Sequence, residues 1–269
     1  MTVMSFGALP KTSHPRPAIV DAGGRALYLG PSFTLGVHRN AVAVIAVGLE
    51  AEFTLRRPDI DEAPTPRRSA LIPPGQWQHL DAHGGAMAFF YLDADDRGWR
   101  EMARRSASPP PRIDSLPDED AALTALLALW RDQEPRDAGW SSLLAALDLP
   151  LPSKPDKVIA AAMAAVRHAP AETHSVAMHA LAGGCAISTF QRRFTAQAGL
   201  PWRRWRLWHR IRHAAKAVCD GTDLTTASYA AGFSSGAHFS DAFRAMFGMP
   251  PVRLVESGAT WQCVPAPMP

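Results

Sequence analysis

The chain has 269 residues, 47% hydrophobic and 20% charged, a balance ordinary for a soluble globular protein rather than a disordered one, with length enough for two modest domains. Its formal charge of +3 hides an asymmetry: residues 1–149 hold 15 Lys and Arg against 19 Asp and Glu, while residues 150–269 hold 13 against 6. Three widely spaced cysteines, Cys185, Cys219 and Cys263, exclude a disulfide framework and a Cys-rich zinc site.

The first residues have no apolar core of secretory length, and no run approaches ~20 apolar residues, so a soluble cytoplasmic protein without a membrane partner is expected. From about Arg25 to Leu92 the chain offers short β-rich runs, ALYLG, FTLGV, VAVIAVG, AEFTLR, SALIPPG and MAFFYLD, separated by turn residues. This pattern predicts an antiparallel barrel or sandwich over residues 1–98, with RPDIDEAPTPRR as a loop. After Trp99 the texture becomes helical. Leu123, Leu126, Leu127 and Trp130 share one face, and Trp140, Leu143, Leu144 and Leu147 another, so residues 99–148 read as a helix pair that either covers the barrel or serves a second subunit. The prolines of LPLPSKPDK mark a linker at 149–157.

Residues 158–256 read as a helical domain, with helices at about 156–168, 174–182, 187–198, 202–219, 224–231 and 236–247 and a short one after Pro250. Within it AISTFQRRFTAQAGLP and SGAHFSDAFRAMFGMP repeat one pattern at an offset of 49 residues, with Phe190, Phe194, Ala196, Gly199 and Pro201 recurring as Phe239, Phe243, Ala245, Gly248 and Pro250. A short helix duplicated on a basic domain suits two successive major grooves of one DNA duplex. The helix from Trp202 to Cys219 spans roughly 27 Å at 1.5 Å per residue, comparable to the ~34 Å of a duplex turn.

In the first copy, inward Phe190 and Phe194 leave Ser188, Thr189, Gln191, Arg192 and Arg193 as the DNA face, with Gln191 and Arg192 able to bond adenine and guanine in bidentate fashion. In the second, Ser235 is placed to cap the helix, and Gly236, Ala237, His238, Ser240 and Asp241 are the outward positions, a surface with little base-reading chemistry. Arg203 is expected on phosphate, while Trp202, Trp205 and Trp208 read as packing residues.

GFSSGAHFSDAFRAMFGMPP, preceded by LTTASYAA, and the Arg210, Ile211 and Ala214 spacing on the long helix closely resemble the AraC/XylS-type transcription regulators over roughly 155–254. The resemblance implies two helix-turn-helix units joined by a long helix, double-stranded DNA as partner, and RNA polymerase where such a protein activates. The first unit departs from the family pattern: His179 replaces an apolar residue, Gly183 and Gly184 precede the turn, and Ala186 stands at the usual Ser cap.

The N-terminal half resembles the cupin-like sensor domain of many such regulators, which implies an α+β protein with a ligand-sensing barrel and an appended dimerising or covering helix pair. A small-molecule effector is then expected at the barrel mouth, lined by Val37, His38, Trp77, His79 and Phe89. His38, His79 and His83 with Glu50 or Glu52 are the candidate metal ligands, but Asn40 stands where a cupin has its second histidine, so no metal or other cofactor is expected. No catalytic set is apparent. The alternatives are a cupin-type metalloenzyme carrying a DNA module, a ligand-free dimerisation barrel, and a thiol sensor using Cys185 and Cys219.

Overall fold

The computed structural model describes residues 15–61, 63–94, 96, 98, 115, 116, 118–132, 137–149 and 156–264. It is a mixed α+β chain with a sheet-rich N-terminal half and a helical C-terminal half. Trp99 and residues 150–155 of the expected linker lie outside the described residues.

Two sheets form the N-terminal half. The larger has the order β6-β3-β8-β2-β1-β9, from strands β1 (Ala18–Asp21), β2 (Arg25–Pro31), β3 (Ala43–Gly48), β6 (Ser69–Ile72), β8 (Ala86–Leu92) and β9 (Thr260–Cys263). The smaller runs β5-β4-β7, from β4 (Phe53–Arg56), β5 (Thr65–Arg67) and β7 (His79–Asp81). All pairings are antiparallel except that of β9 with β1.

The central strands are apolar on both faces because both faces are covered. Along β8, Met87 and Phe89 join the core between the halves, whereas Ala86, Ala88, Phe90 and Leu92 join a second core on the far side. That second core is supplied by α1 (Glu119–Asp132) and α2 (Asp137–Ala146), whose Leu126, Leu129, Trp130, Trp140 and Leu143 are buried there together with Leu147 just after α2. Trp140 meets Phe90 edge-on at 5.4 Å. The helix pair thus covers the sheet.

The sheets do not close into the expected β-barrel. Apolar side chains of the helical half, among them Trp208, Ile211, Phe243 and Leu254, fill the mouth between them, and burial is completed without a closing strand pair. FTLGV is not a strand either: Gly36 N–H donates instead to Gly248 O across the seam between the halves, at 2.7 Å. Within the expected loop, Thr65–Arg67 pairs with β4.

The helical half comprises α3 (Lys157–His168), α4 (Val176–Ala182), α5 (Ile187–Ala198), α6 (Trp202–Cys219), α7 (Leu224–Ala230), α8 (Gly236–Phe247) and α9 (Val252–Ser257). Their starts follow from capping side chains: Asp156 accepts from Val158 N–H, Ser175 from Met178 N–H, Asp223 from Thr225 and Thr226 N–H, and Ser235 from His238 N–H. Ala186 makes no such bond to α5. Both repeated helices end on a left-handed glycine, Gly199 at φ 77° and Gly248 at φ 74°. No helix among the described residues is long and apolar enough to cross a membrane.

Candidate nucleic-acid interface and the cavity behind it

Helices α5 and α8 each bury their phenylalanines, Phe190 and Phe194 in one and Phe239 and Phe243 in the other. On α5 this leaves Ser188, Gln191 and Arg192 exposed and Thr189 half-buried. Arg193 is exposed but turned toward α3, with Nη1 3.6 Å from an Asp156 carboxylate oxygen. On α8, Ala237, His238 and Asp241 are exposed and Gly236 and Ser240 half-buried, while the Ser235 hydroxyl is engaged in its cap. The His238 ring lies 3.0 Å from the Ser234 hydroxyl, which draws one of its nitrogens away from solvent. Arg244, exposed on the same side of α8, is a cation that the pattern reading passed over.

The first copy absorbs its unusual residues by packing. His179 is buried, stacked between His174 at 5.4 Å and Phe190 at 6.1 Å and edge-on to Trp202 at 5.1 Å. Burial, with His174 and Arg206 adding to it, lowers its pKa and favours the neutral ring. Gly183 sits where a Cβ would come within 2.2 Å of Val158. Trp202, Trp205 and Trp208 are all buried, so these rings are packing residues. Arg203, at the start of α6, is exposed. Arg210 donates to Ala231 O and Gly232 O and lies over Phe233 at 4.3 Å, tying α6 to the turn before α8.

Behind α5 and α8, the seam between the halves carries three polar ties. Asp93, fully buried, accepts from Arg167 at 2.7 Å and from Trp205 Nε1–H at 2.6 Å, and His209 Nε2 lies 3.1 Å from it. Burial pushes its pKa up, but His209, Arg167 and Arg212 outweigh this and hold the carboxyl well below the usual range. Arg212 donates to Asp21 at 2.6 Å and to Gly23 O at 3.0 Å. The third tie closes the end of α8: Asn40 Nδ2–H donates to Met246 O at 2.8 Å and Arg39 N–H to Ala245 O at 3.3 Å. These are the carbonyls that a helix C-terminus leaves without partners of its own.

Between these ties lies an apolar cavity of about 90 Å³ lined by both halves, including Tyr28, His38, Phe89, Tyr91, Trp208 and Phe247. Of the five residues expected around an effector, His38 and Phe89 line it. Trp77 and Val37 are partly solvent-exposed and His79 lies on β7; none of the three lines the cavity. The expectation placed the site at the mouth of a barrel, and the helical half occupies that mouth. The aromatics from α6 and α8 were not legible as a lining, because nothing local in the sequence says which helix face meets the sheet.

The candidate metal-ligand histidines do not converge among the described residues. His38 is buried, with Nδ1 2.8 Å from Gly36 O and Nε2 3.1 Å from Gln78 Nε2, whereas His83 is on an exposed turn beside Asp81. Among the described residues no three His, Cys, Asp or Glu side chains form a metal-binding group. The Cys219 thiol is pushed up to about 11, chiefly by burial, the reverse of what a thiolate sensor needs.

Residues 180–257 match the family model described as a helix-turn-helix domain. No curated protein sequence matches the chain significantly. Among solved structures, ToxT from Vibrio cholerae is similar with a TM-score of 0.58 at 10% identity, over 87% of this chain and 98% of that one. ToxT bound to (E)-4-(8-methylnaphthalen-1-yl)but-3-enoic acid is similar with a TM-score of 0.56 at 9% identity, over 87% and 99% of the two chains. Unsaturated fatty acid-bound ToxT gives 0.51 at 10% identity, over 89% and 93%. At such identities the likeness is one of fold.

Proposed function

We propose that the chain, which matches a helix-turn-helix domain over residues 180–257 and is similar in fold to ToxT, is a DNA-binding transcription regulator of the AraC type, in which α4–α5 and α7–α8 act as two reading units under the control of an apolar small molecule held at the seam. Residues 158–256 are then the reading domain, and the sheet half with α1 and α2 is the sensing part. In the first unit Gln191 and Arg192 read bases, with Ser188 and Thr189 beside them and Arg193 toward the backbone. The second unit, through Ala237, His238 and Ser240, mainly positions the protein.

The observation that carries the effector reading is the segment Gly36–Asn40. His38 and Asn40 line the cavity, and the same segment caps α8 through Gly36, Arg39 and Asn40. Whatever enters the cavity therefore touches the residues that close a reading helix. An unsaturated fatty acid, of the kind bound by ToxT, is the first molecule to try, since the lining is aromatic and aliphatic with Arg212 as its cation. The cavity is smaller than the ~150 Å³ that admits benzene, so such a ligand must spread the seam and favours a parted arrangement of the halves.

Purified protein is used to select bound duplexes from a random pool, and the affinity for the selected site is then measured with and without an unsaturated fatty acid. A changed DNA affinity that is lost in Phe89→Ala supports the effector reading. An unchanged affinity, with no shift in tryptophan fluorescence from Trp208, rejects it. A second copy of the chain, and RNA polymerase if the regulator activates, complete the proposed partners; sedimentation of the DNA complex tests the first.

A further inference from the structure

Beside the seam an open cleft of about 670 Å³ is lined by Arg39 and Trp77 of the sheet half, Arg203, Arg204 and Leu207 of α6, and Ala245 of α8. It begins at Pro201, immediately after the stop of α5, and ends at the exposed last turn of α8. It therefore lies between the C-terminal ends of α5 and α8. We infer that Arg39 joins Arg203 and Arg204 in holding a backbone phosphate of the duplex, so that the sheet half itself takes part in binding DNA. This rests on the DNA-binding reading and extends it to a half that was assigned only a sensing role.

Charge and geometry both favour an anion in this cleft. No carboxylate lines it, and no acidic side chain pairs with Arg39, Arg203 or Arg204 among the described residues. Two of the guanidinium groups are coupled through the chain, since Arg204 Nη2–H donates to Arg39 O at 2.9 Å. The Arg204 pKa is pulled down to about 10, first by burial and then by the charge of Arg39. Such crowding of like charge is relieved by a bound anion.

The positive end of α6 adds to the field, because Pro201 gives that helix no side-chain cap. Arg39 is also held in place: its guanidinium lies over the Trp77 ring at 4.6 Å, and its amide is bonded to Ala245 O. An arginine fixed in this way loses little side-chain freedom on meeting a phosphate. A site strung between the C-terminal ends of α5 and α8 and open to solvent suits a polymer backbone.

The test uses the full chain, wild type and the variants Arg39→Gln, Arg39→Lys and Arg203→Gln, on the selected duplex and on a random one over a salt series. Arg39→Gln is expected to flatten the slope of log affinity against log salt by about 0.9, so that a fourfold rise in salt costs about threefold less affinity than in wild type. The loss at low salt should be the same on both duplexes, and Arg39→Lys, which keeps the charge, should restore the slope. An unchanged slope in Arg39→Gln, with wild type binding steeply and Arg203→Gln flattened, overturns the role of the sheet half while leaving the regulator reading intact. Weaker binding without a change of slope overturns it too, since that marks a packing effect. A wild-type protein that binds neither duplex overturns the regulator reading itself.

Discussion

Asn40, in the sheet half, closes the C-terminus of α8 by donating its side-chain amide to the carbonyl oxygen of Met246, 2.8 Å away and 206 residues along the chain. Its own carbonyl accepts from Gln78 at 2.5 Å, and Gln78 in turn approaches His38, so one buried string of neutral groups runs from the cavity wall to α8. Asn40→Ala should cost ~1–3 kcal/mol, because it leaves a buried carbonyl and a buried N–H without partners. Amide exchange should show the last turn of α8 losing protection while α5 keeps its own.

Gly248 stands at φ 74°, and a Cβ there would come within 2.6 Å of both Gly36 O and His38 Nδ1. Gly258, at φ 64°, has open space around it. Gly258→Ala should therefore cost only the left-handed penalty of ~1–2 kcal/mol, and Gly248→Ala distinctly more. Equal losses in denaturant unfolding would show that the sheet half does not press on this glycine.

Burial lowers the His38 pKa to about 4, against a smaller upward pull from Gly36 O and with His79 adding to the fall. A base depressed in the folded state binds fewer protons there than when unfolded. Stability should thus decline as pH falls from ~6.5 toward about 4, and that decline should amount to about 3 kcal/mol for this group. His38→Gln should flatten that part of the stability profile.

Asp93 accepts from Arg167 and Trp205 of the helical half and lies 3.1 Å from His209 Nε2. Asp93→Ala leaves Arg167 and His209 beside an empty site and should cost ~3–5 kcal/mol. Limited proteolysis at the seam should quicken by more than in Arg193→Ala, whose ion pair with Asp156 is exposed and contributes ~0–1 kcal/mol.

Arg192→Ala should weaken binding to the selected duplex by ~1–3 kcal/mol more than to a random one, since its proposed partner is a base edge. An equal loss on both would assign Arg192 to phosphate.

The helical half was legible because its signals are local. Asp156, Ser175, Asp223 and Ser235 announce helix starts, Gly199 and Gly248 the stops, and paired phenylalanines the inner faces. The two sheets were half legible: runs such as VAVIAVG declare buried strands, but β1, β7 and β9 are three or four residues long and carry no alternation to speak of. The cavity was the least legible part. Tyr28, Phe89, Trp208 and Phe247 look like ordinary core residues, and only the packing of the two halves leaves a gap among them.

The parallel pairing of β9 with β1, from Ala18 opposite Thr260 to Asp21 opposite Cys263, makes the path of the chain nearly circular. That stitched edge is a backbone tie in addition to the side-chain ties of the seam, and a line about which the two halves could turn, as a book opens about its spine. On the proposed reading, a molecule that enters the cavity turns α6 relative to the large sheet, and with it the angle at which α5 and α8 meet the duplex. On the same reading, residues 158–256 taken alone lose that spine, and the proposed response to ligand with it.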